Sequence, residues 1–398
     1  MTDITLELLE YADSLEVIDA HEHLIGEAQH LTRYLSFYDF IASYLQWDLY
    51  SAGMPKDLVW NYPQSAEQAY AHFLAIEPYW KFVRHGSYAR PMMLALKEFY
   101  GINELTCDNV LWLGAQLNAD NTPGLYDRVF DKAKIKRIIN QSPEHPFDDP
   151  RFVYGKPIEF YDATSLEPFL SAHPSASLDD LLEHVENRIR AAVARGAKSA
   201  KVFSVFLLQA PDRVAAQAQL EMLRSGKVTD SSALQTVLYD HTLALCGRYG
   251  IVAAMHTGVW TDLNKQTPMV MFPVVERHPE VTFDVYHMGM PFVRECAFLG
   301  KSYPNVFLNL CWSHAVSERM ALNALEEWLD LVPVNKIIGF GGDLITLPQH
   351  VWGQLQVAKE NIARALEVRI KRQRLDLDAA KWIMRLWLHD NPQRIYKL

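Results

Sequence analysis

His21 and His23 stand two apart in the run Val17-Ile18-Asp19-Ala20-His21-Glu22-His23. On an extended strand that spacing points both rings to one side, and two imidazoles converging from one strand end form a chelate for zinc or a similar divalent ion. An isolated His-x-His pair is also what two ordinary surface histidines look like. Three further segments end in the same way. Ile251 to His256 is an apolar run closing on histidine, Val281 to His287 is another, and Lys336 to Phe340 leads through Gly341-Gly342 to Asp343. A lone histidine or aspartate at a strand end often caps the next helix. Four such ends in order point instead to one shared metal site, because barrel enzymes gather their chemistry at the C-terminal ends of their strands.

The elements that must hold these residues follow from the pattern of the chain. From about Ile135 onward, short β-rich runs alternate with longer helical patterns, which is the signal of βα units around a parallel sheet. Strands are expected at 135–141, 157–161, 199–203, 251–256, 281–287, 306–310 and 336–340, and 17–20 makes eight. Helices are expected at 178–194, 232–249 and 318–331, and at 352–369 after the last strand. The fold class is therefore α/β, a (β/α)8 TIM barrel. An open doubly wound sheet fits less well, and no Gly-x-Gly-x-x-Gly follows a strand to mark a dinucleotide site. Strands one and two are separated by about a hundred residues, far more than an ordinary βα connection. The stretch 24–130 is rich in Trp and Tyr and helical in period, so the chain (1–398) is read as a single barrel domain with a large helical insertion after strand one, covering the barrel mouth.

Composition narrows the partners. A formal charge of −10 argues against nucleic acid, whose phosphates demand a basic surface. With 49% apolar residues a large core can form, yet no segment is long and apolar enough to span a bilayer. Four scattered cysteines without a CxxC, and a start that lacks a basic leader before an apolar run, make a cytoplasmic protein the expectation. A small-molecule substrate is expected, and homo-oligomerisation is left open.

The chain resembles the amidohydrolase superfamily, whose pattern is His-x-His on strand one, Lys or Glu on strand four, His on strands five and six, and Asp on strand eight. The matching residues are His21, His23, Lys201, His256, His287 and Asp343. The C-terminal half, including Asn391-Pro392-Gln393-Arg394-Ile395-Tyr396, resembles the amidohydrolase-2 branch with its nodulin-like domains. The long insertion is similar to that of uronate isomerases, and Trp80 to Arg90 loosely matches their His-Tyr-x-x-Arg-like substrate segment. The resemblance implies one or two divalent ions, zinc foremost, held by those six residues. Lys201 would be carboxylated if two ions bind; its alternatives are an ion pair with a substrate acid, or a role for Lys198 in its place. Metal coordination lowers the pKa of water from 15.7 toward about 7. Asp343 is then expected to accept and return a proton, while His287 binds a second ion or polarises the substrate carbonyl.

The reaction expected from this pattern is hydrolysis of an amide, ester or lactone in a small carboxylate-bearing metabolite. A uronate-isomerase-like proton transfer and a metal-dependent decarboxylation use the same ligands, and a catalytically silent binding barrel is the non-enzymatic alternative. For substrate contact the candidates are Arg84, His85, Tyr88 and Arg90 in the insertion, where an arginine would grip a carboxylate, and Trp312 and His314 after strand seven. The remaining histidines, such as His145 and His350, carry no strand-end pattern and are assigned to surface or packing.

Overall fold

The computed structural model describes residues 2–143, 147–160, 162–226, 230–259, 263 and 265–398. Eight parallel strands run in sequence order around one sheet: β1 (Val17–Glu22), β2 (Ile135–Asn140), β3 (Phe152–Lys156), β4 (Ser199–Phe203), β5 (Val252–His256), β6 (Thr282–Val285), β7 (Val306–Asn309) and β8 (Ile337–Ile338). The last seam is closed by single hydrogen bonds. Ala20 N donates to Phe340 O at 3.2 Å, Asp343 N to His21 O at 2.9 Å, and His23 N to Leu344 O at 3.0 Å. The chain is therefore a (β/α)8 barrel, as its strand pattern implies.

The surrounding helices form where amphipathic periodicity and caps agree. Leu178–Ala194 buries Leu178, Leu181, Leu182, Val185, Ile189 and Ala192 on one stripe. Its first turn is held by a capping box between Ser177 and Asp180. Ser232–Tyr249 stops at Gly250, whose left-handed backbone (φ 63°) is the usual end of a helix. The helix after β8 is longer than its sequence suggests, Pro348–Lys371, because Pro348 suits a first helical turn and the buried face continues to Arg369.

One strand is displaced from its expected place. The third runs over Phe152–Lys156, not 157–161, because Pro157 has no N–H to give to the ladder and ends the strand there. Tyr161 and His145 lie outside the described residues. Strands six and eight are also shorter than expected, ending at Val285 and Ile338. His287 and Asp343 consequently sit in the turns beyond these strands.

Between β1 and β2, residues 27–133 form a run of helices with a core of their own, including Phe37, Phe73, Ile76, Leu96 and Leu113. That core also takes in Trp312 and Leu347 from the loops after β7 and β8. The contact with the barrel is close. A Cβ on Gly353 would lie 2.0 Å from Pro91 O, so only glycine lets helices Ala89–Tyr100 and Pro348–Lys371 meet there. Arg90 pairs with Glu318 and Glu360 across the same junction.

Candidate metal centre

The two β1 histidines and Asp343 converge. His21 Nε2 and His23 Nε2 lie 3.0 and 3.4 Å from Asp343 Oδ1, and one ligand atom from each residue lies within 4.8 Å of the others. What brings Asp343 back to β1 is the glycine run before it. A Cβ on Gly341 would stand 3.0 Å from His21 N and 2.6 Å from Cys311 Cβ, and one on Gly342 would stand 2.0 Å from Glu22 Oε1. Beneath them, Asp19 Oδ1 accepts from His21 N and Gly342 N, and Glu22 Oε2 accepts from Leu344 N at 2.6 Å. Burial raises both of these acids, Asp19 to about 7 and Glu22 well above the carboxylate range, where the neighbouring Asp19 adds to the effect.

His256 and His287 form a second pair, and their proton count is informative. His287 Nδ1 lies 3.1 Å from Cys311 O, and His256 Nε2 lies 2.9 Å from Val259 O. A carbonyl only accepts, so each of these nitrogens carries the ring's proton. The remaining nitrogens, His287 Nε2 and His256 Nδ1, then face each other at 3.0 Å with no proton between them while both rings are neutral. Burial holds them neutral, His256 down to about 4 and His287 well below the usual histidine range. His23 repeats the theme: its Nδ1 donates to Gln141 O at 3.1 Å, leaving a bare Nε2 aimed at the Asp343 carboxylate. Burial lowers His21 to about 3, with Lys201 adding to the effect. Burial works against a charge on Asp343 too, but its interactions with His21, the hydrogen bond from that ring among them, outweigh burial and hold the carboxyl far below the ordinary range. Neutral imidazoles around an ionised carboxylate, with His21 giving up the proton it shares with Asp343 as an ion enters, are the donor set a divalent cation satisfies. A divalent ion fits these residues.

Lys201 is buried in the middle of β4. Its Nζ lies 3.2 Å from His21 Nε2 and 4.5 Å from the centre of the Tyr286 ring, and burial lowers its basicity. Below it, Tyr286 OH meets Tyr396 OH at 3.2 Å, and Tyr396 donates to Asp284 at 2.5 Å.

A cavity of about 190 Å³ opens above the centre. Its polar lining comes from His23, Lys201, His256, Asp343 and Gln141, and its carbon lining from Tyr44, Phe203, Trp312, Pro157 and Ile158. Trp312 stacks obliquely on Tyr44 with centroids 4.5 Å apart and meets His287 edge to face at 5.3 Å. Tyr88 is buried behind them, 6.0 Å from Tyr44. The other expected contacts are elsewhere. His314 bonds to Gly339 O at 3.0 Å and Asn361 Nδ2 at 3.2 Å, packed against Pro348–Lys371 and away from the cavity. Arg84 pairs with Glu104 and donates to His85, both on exposed surface, and Arg90 is held by its two glutamates. The segment thus brings no arginine to the cavity, since protein carboxylates already occupy its guanidinium groups.

Several residues at the centre carried no signal in the sequence. Tyr44 donates from its OH to Asp343 O at 2.7 Å, from a helical stretch with no strand-end pattern to mark it. Gln141 directly follows β2, so its position could have found it. His287, Trp312 and Asp343 all have left-handed backbones, with φ of 64°, 62° and 59°. For residues other than glycine such conformations cost on the order of 1 kcal/mol or more and cluster at functional sites.

The amidohydrolase family model matches residues 172–398. Protein fluG of Emericella nidulans is 26% identical over 148 residues, which are 36% of this chain and 17% of that protein. The chain thus spans about a sixth of the length of that curated relative. Among solved structures, glucuronate isomerase from Caulobacter crescentus superposes with a TM-score of 0.79 at 17% identity, covering 99% of this chain and 94% of that one. Uronate isomerase from Thermotoga maritima gives 0.79 at 11% identity, covering 100% and 98%. A Lactobacillus casei protein named provisionally as a metal-dependent hydrolase gives 0.71 at 17%, covering 98% and 97%. With more than half its length matched by the family model, the chain belongs to the amidohydrolase family.

Proposed function

We propose that the protein is a metal-dependent hydrolase acting on an amide, ester or lactone of a small molecule. The observation that carries this reading is the convergence of His21, His23 and Asp343 on one point at the barrel mouth. These three would hold one ion and His256 and His287 another, and Lys201, 3.2 Å from His21, would add an anionic ligand if carboxylated. A divalent ion bound there supplies Lewis-acid polarisation of a carbonyl and activation of water near neutral pH. Gln141 O fixes the ring of His23, and Tyr44 fixes the backbone of Asp343. Asp343, ionised, accepts the proton of the attacking water at its carboxylate and returns it to the leaving nitrogen or oxygen. Trp312, Tyr44 and Phe203 keep bulk water from the reacting carbonyl.

A second reading is a uronate-isomerase-like proton transfer between sugar carbons, favoured by the end-to-end likeness of fold to two such enzymes. Proton NMR of the metal-loaded protein against amide, lactone, uronate and aromatic-acid panels separates the readings. Hydrolysed fragments support the hydrolase and an aldose-to-ketose change supports the isomerase. Loss of carbon dioxide alone refutes both.

A further inference from the structure

The cavity's lining identifies the part of the substrate that does not react. Its polar groups are those of the metal centre together with Gln141, and the rest of the described lining is carbon: the Phe203 ring, the Trp312 and Tyr44 rings, Pro157 and Ile158. Phe203 is itself held in place, tilted on His256 at 4.7 Å and stacked on Phe206 at 6.0 Å. The Tyr44 hydroxyl, the polar end of that wall, is engaged by Asp343 O. No arginine lines the cavity among the described residues. At about 190 Å³ it is smaller than the ~300–1,000 Å³ of sites for drug-sized ligands, which leaves room for one ring with short substituents.

A hexuronate would bring a hydroxyl on nearly every carbon into this space. Each hydroxyl buried against carbon without a partner lowers affinity by about tenfold. A flat ring loses nothing there and gains contact with the faces and edges of Phe203 and Trp312. We infer that this protein takes a small planar, aromatic or otherwise unsaturated ring compound, its reactive carbonyl toward His23 and Asp343 and its ring between Phe203 and Trp312. The inference rests on the proposed hydrolase only in calling the metal-facing group a reactive carbonyl.

The test uses the zinc-loaded full-length chain, titrated calorimetrically with benzohydroxamate, acetohydroxamate and D-glucuronate. The two hydroxamates share a metal-binding head and differ in the ring. Benzohydroxamate is expected to bind at least about tenfold more tightly than acetohydroxamate. In Phe203→Ala, a substitution at a partly exposed position, its affinity should fall toward that of acetohydroxamate. Equal affinities of the two hydroxamates, binding of neither, or a glucuronate affinity matching benzohydroxamate would overturn the inference. The two proposals fail separately. A ring preference without turnover of any aryl ester or lactone rejects the hydrolase and keeps the cavity's selectivity. Turnover of aliphatic amides with no ring preference does the reverse.

Discussion

Gly342 is the position where one methyl group tests the most. A Cβ there would lie 2.0 Å from Glu22 Oε1, well inside the 3.0 Å that real Cβ contacts keep, so about an ångström of movement is required. Glu22 cannot give way freely, because its other oxygen accepts from Leu344 N at 2.6 Å and its neighbour Asp19 accepts from Gly342 N. Overpacking of this kind costs about 1–3 kcal/mol, and losing the Leu344 hydrogen bond about 1 kcal/mol more. Gly342→Ala is therefore expected to lose about 2–4 kcal/mol of stability. For a chain of 398 residues the unfolding entropy is about 0.8 kcal/mol per kelvin, so Tm should fall by about 2–5 °C. The next residue is Asp343, so the displacement should also weaken metal binding, by about 10–100-fold as for other disturbances of groups that orient ligands. Urea unfolding reads the first effect, and competition with a chromophoric chelator the second. The double-mutant cycle with Glu22→Ala isolates the cause: once the obstructing carboxyl is gone, adding the methyl should cost under about 1 kcal/mol. A Gly342→Ala protein with unchanged urea midpoint and metal affinity would refute this account of how β1 and the β8 loop build the site.

Three further outcomes are expected. Asp343→Asn keeps a residue that tolerates the left-handed backbone, so metal should remain bound while kcat falls about 10²–10⁴-fold; near-normal turnover with metal in place would remove Asp343 from its proton-transfer role. Chelation of the metal should lower Tm by a few degrees, since a ligand at 100 times its Kd adds about 2.7 kcal/mol, and zinc or manganese should restore it. A protein free of metal by elemental analysis, with a Tm indifferent to added ions, would favour the silent barrel. Acid should destabilise the fold through His314 and His350, which burial holds at about 4 and about 3. Both are neutral in the fold and take up protons near 6.5 when unfolded, so their contribution is complete above that pH. It is lost as pH falls from 6.5 toward 4 for His314 and toward 3 for His350, by several kcal/mol in all. Urea midpoints measured from pH 7 to 4.5 should flatten in His314→Gln, and an unchanged slope would contradict the assignment.

The barrel was legible because short β-rich runs alternate with amphipathic helical patterns along the chain. The helix 178–194 emerges at its expected residues because Ser177 and the stripe from Leu178 to Ala192 are both local signals. The third strand was misplaced because Tyr154 and Gly155 look unremarkable beside the run that begins at Pro157, the residue that in fact terminates the strand. The metal-centre candidates were legible from position: His21, His256 and their partners lie at or just beyond the ends of those runs. The residues that orient them were not. Tyr44 reaches Asp343 from a helical segment almost three hundred positions away, and its partner is a backbone carbonyl, which leaves no trace in residue type. His314 misled through its position after β7. The tight turn at Trp312 sends the following side chain back toward Asn361, and strand counting does not see a reversal of that kind.

The bond from Tyr44 to the carbonyl of Asp343 couples the helices of residues 27–133 to the ion-holding end of the barrel. Linkage makes that coupling reciprocal: whatever steadies Asp343 also steadies Tyr44, and a loosened insertion would weaken the affinity for an ion by the same free energy. Amide exchange in Leu45–Ser51, which follows Tyr44, should then slow when the centre is filled. The insertion would in that case serve as a built-in gauge of occupancy, readable without a substrate and some distance from the chemistry.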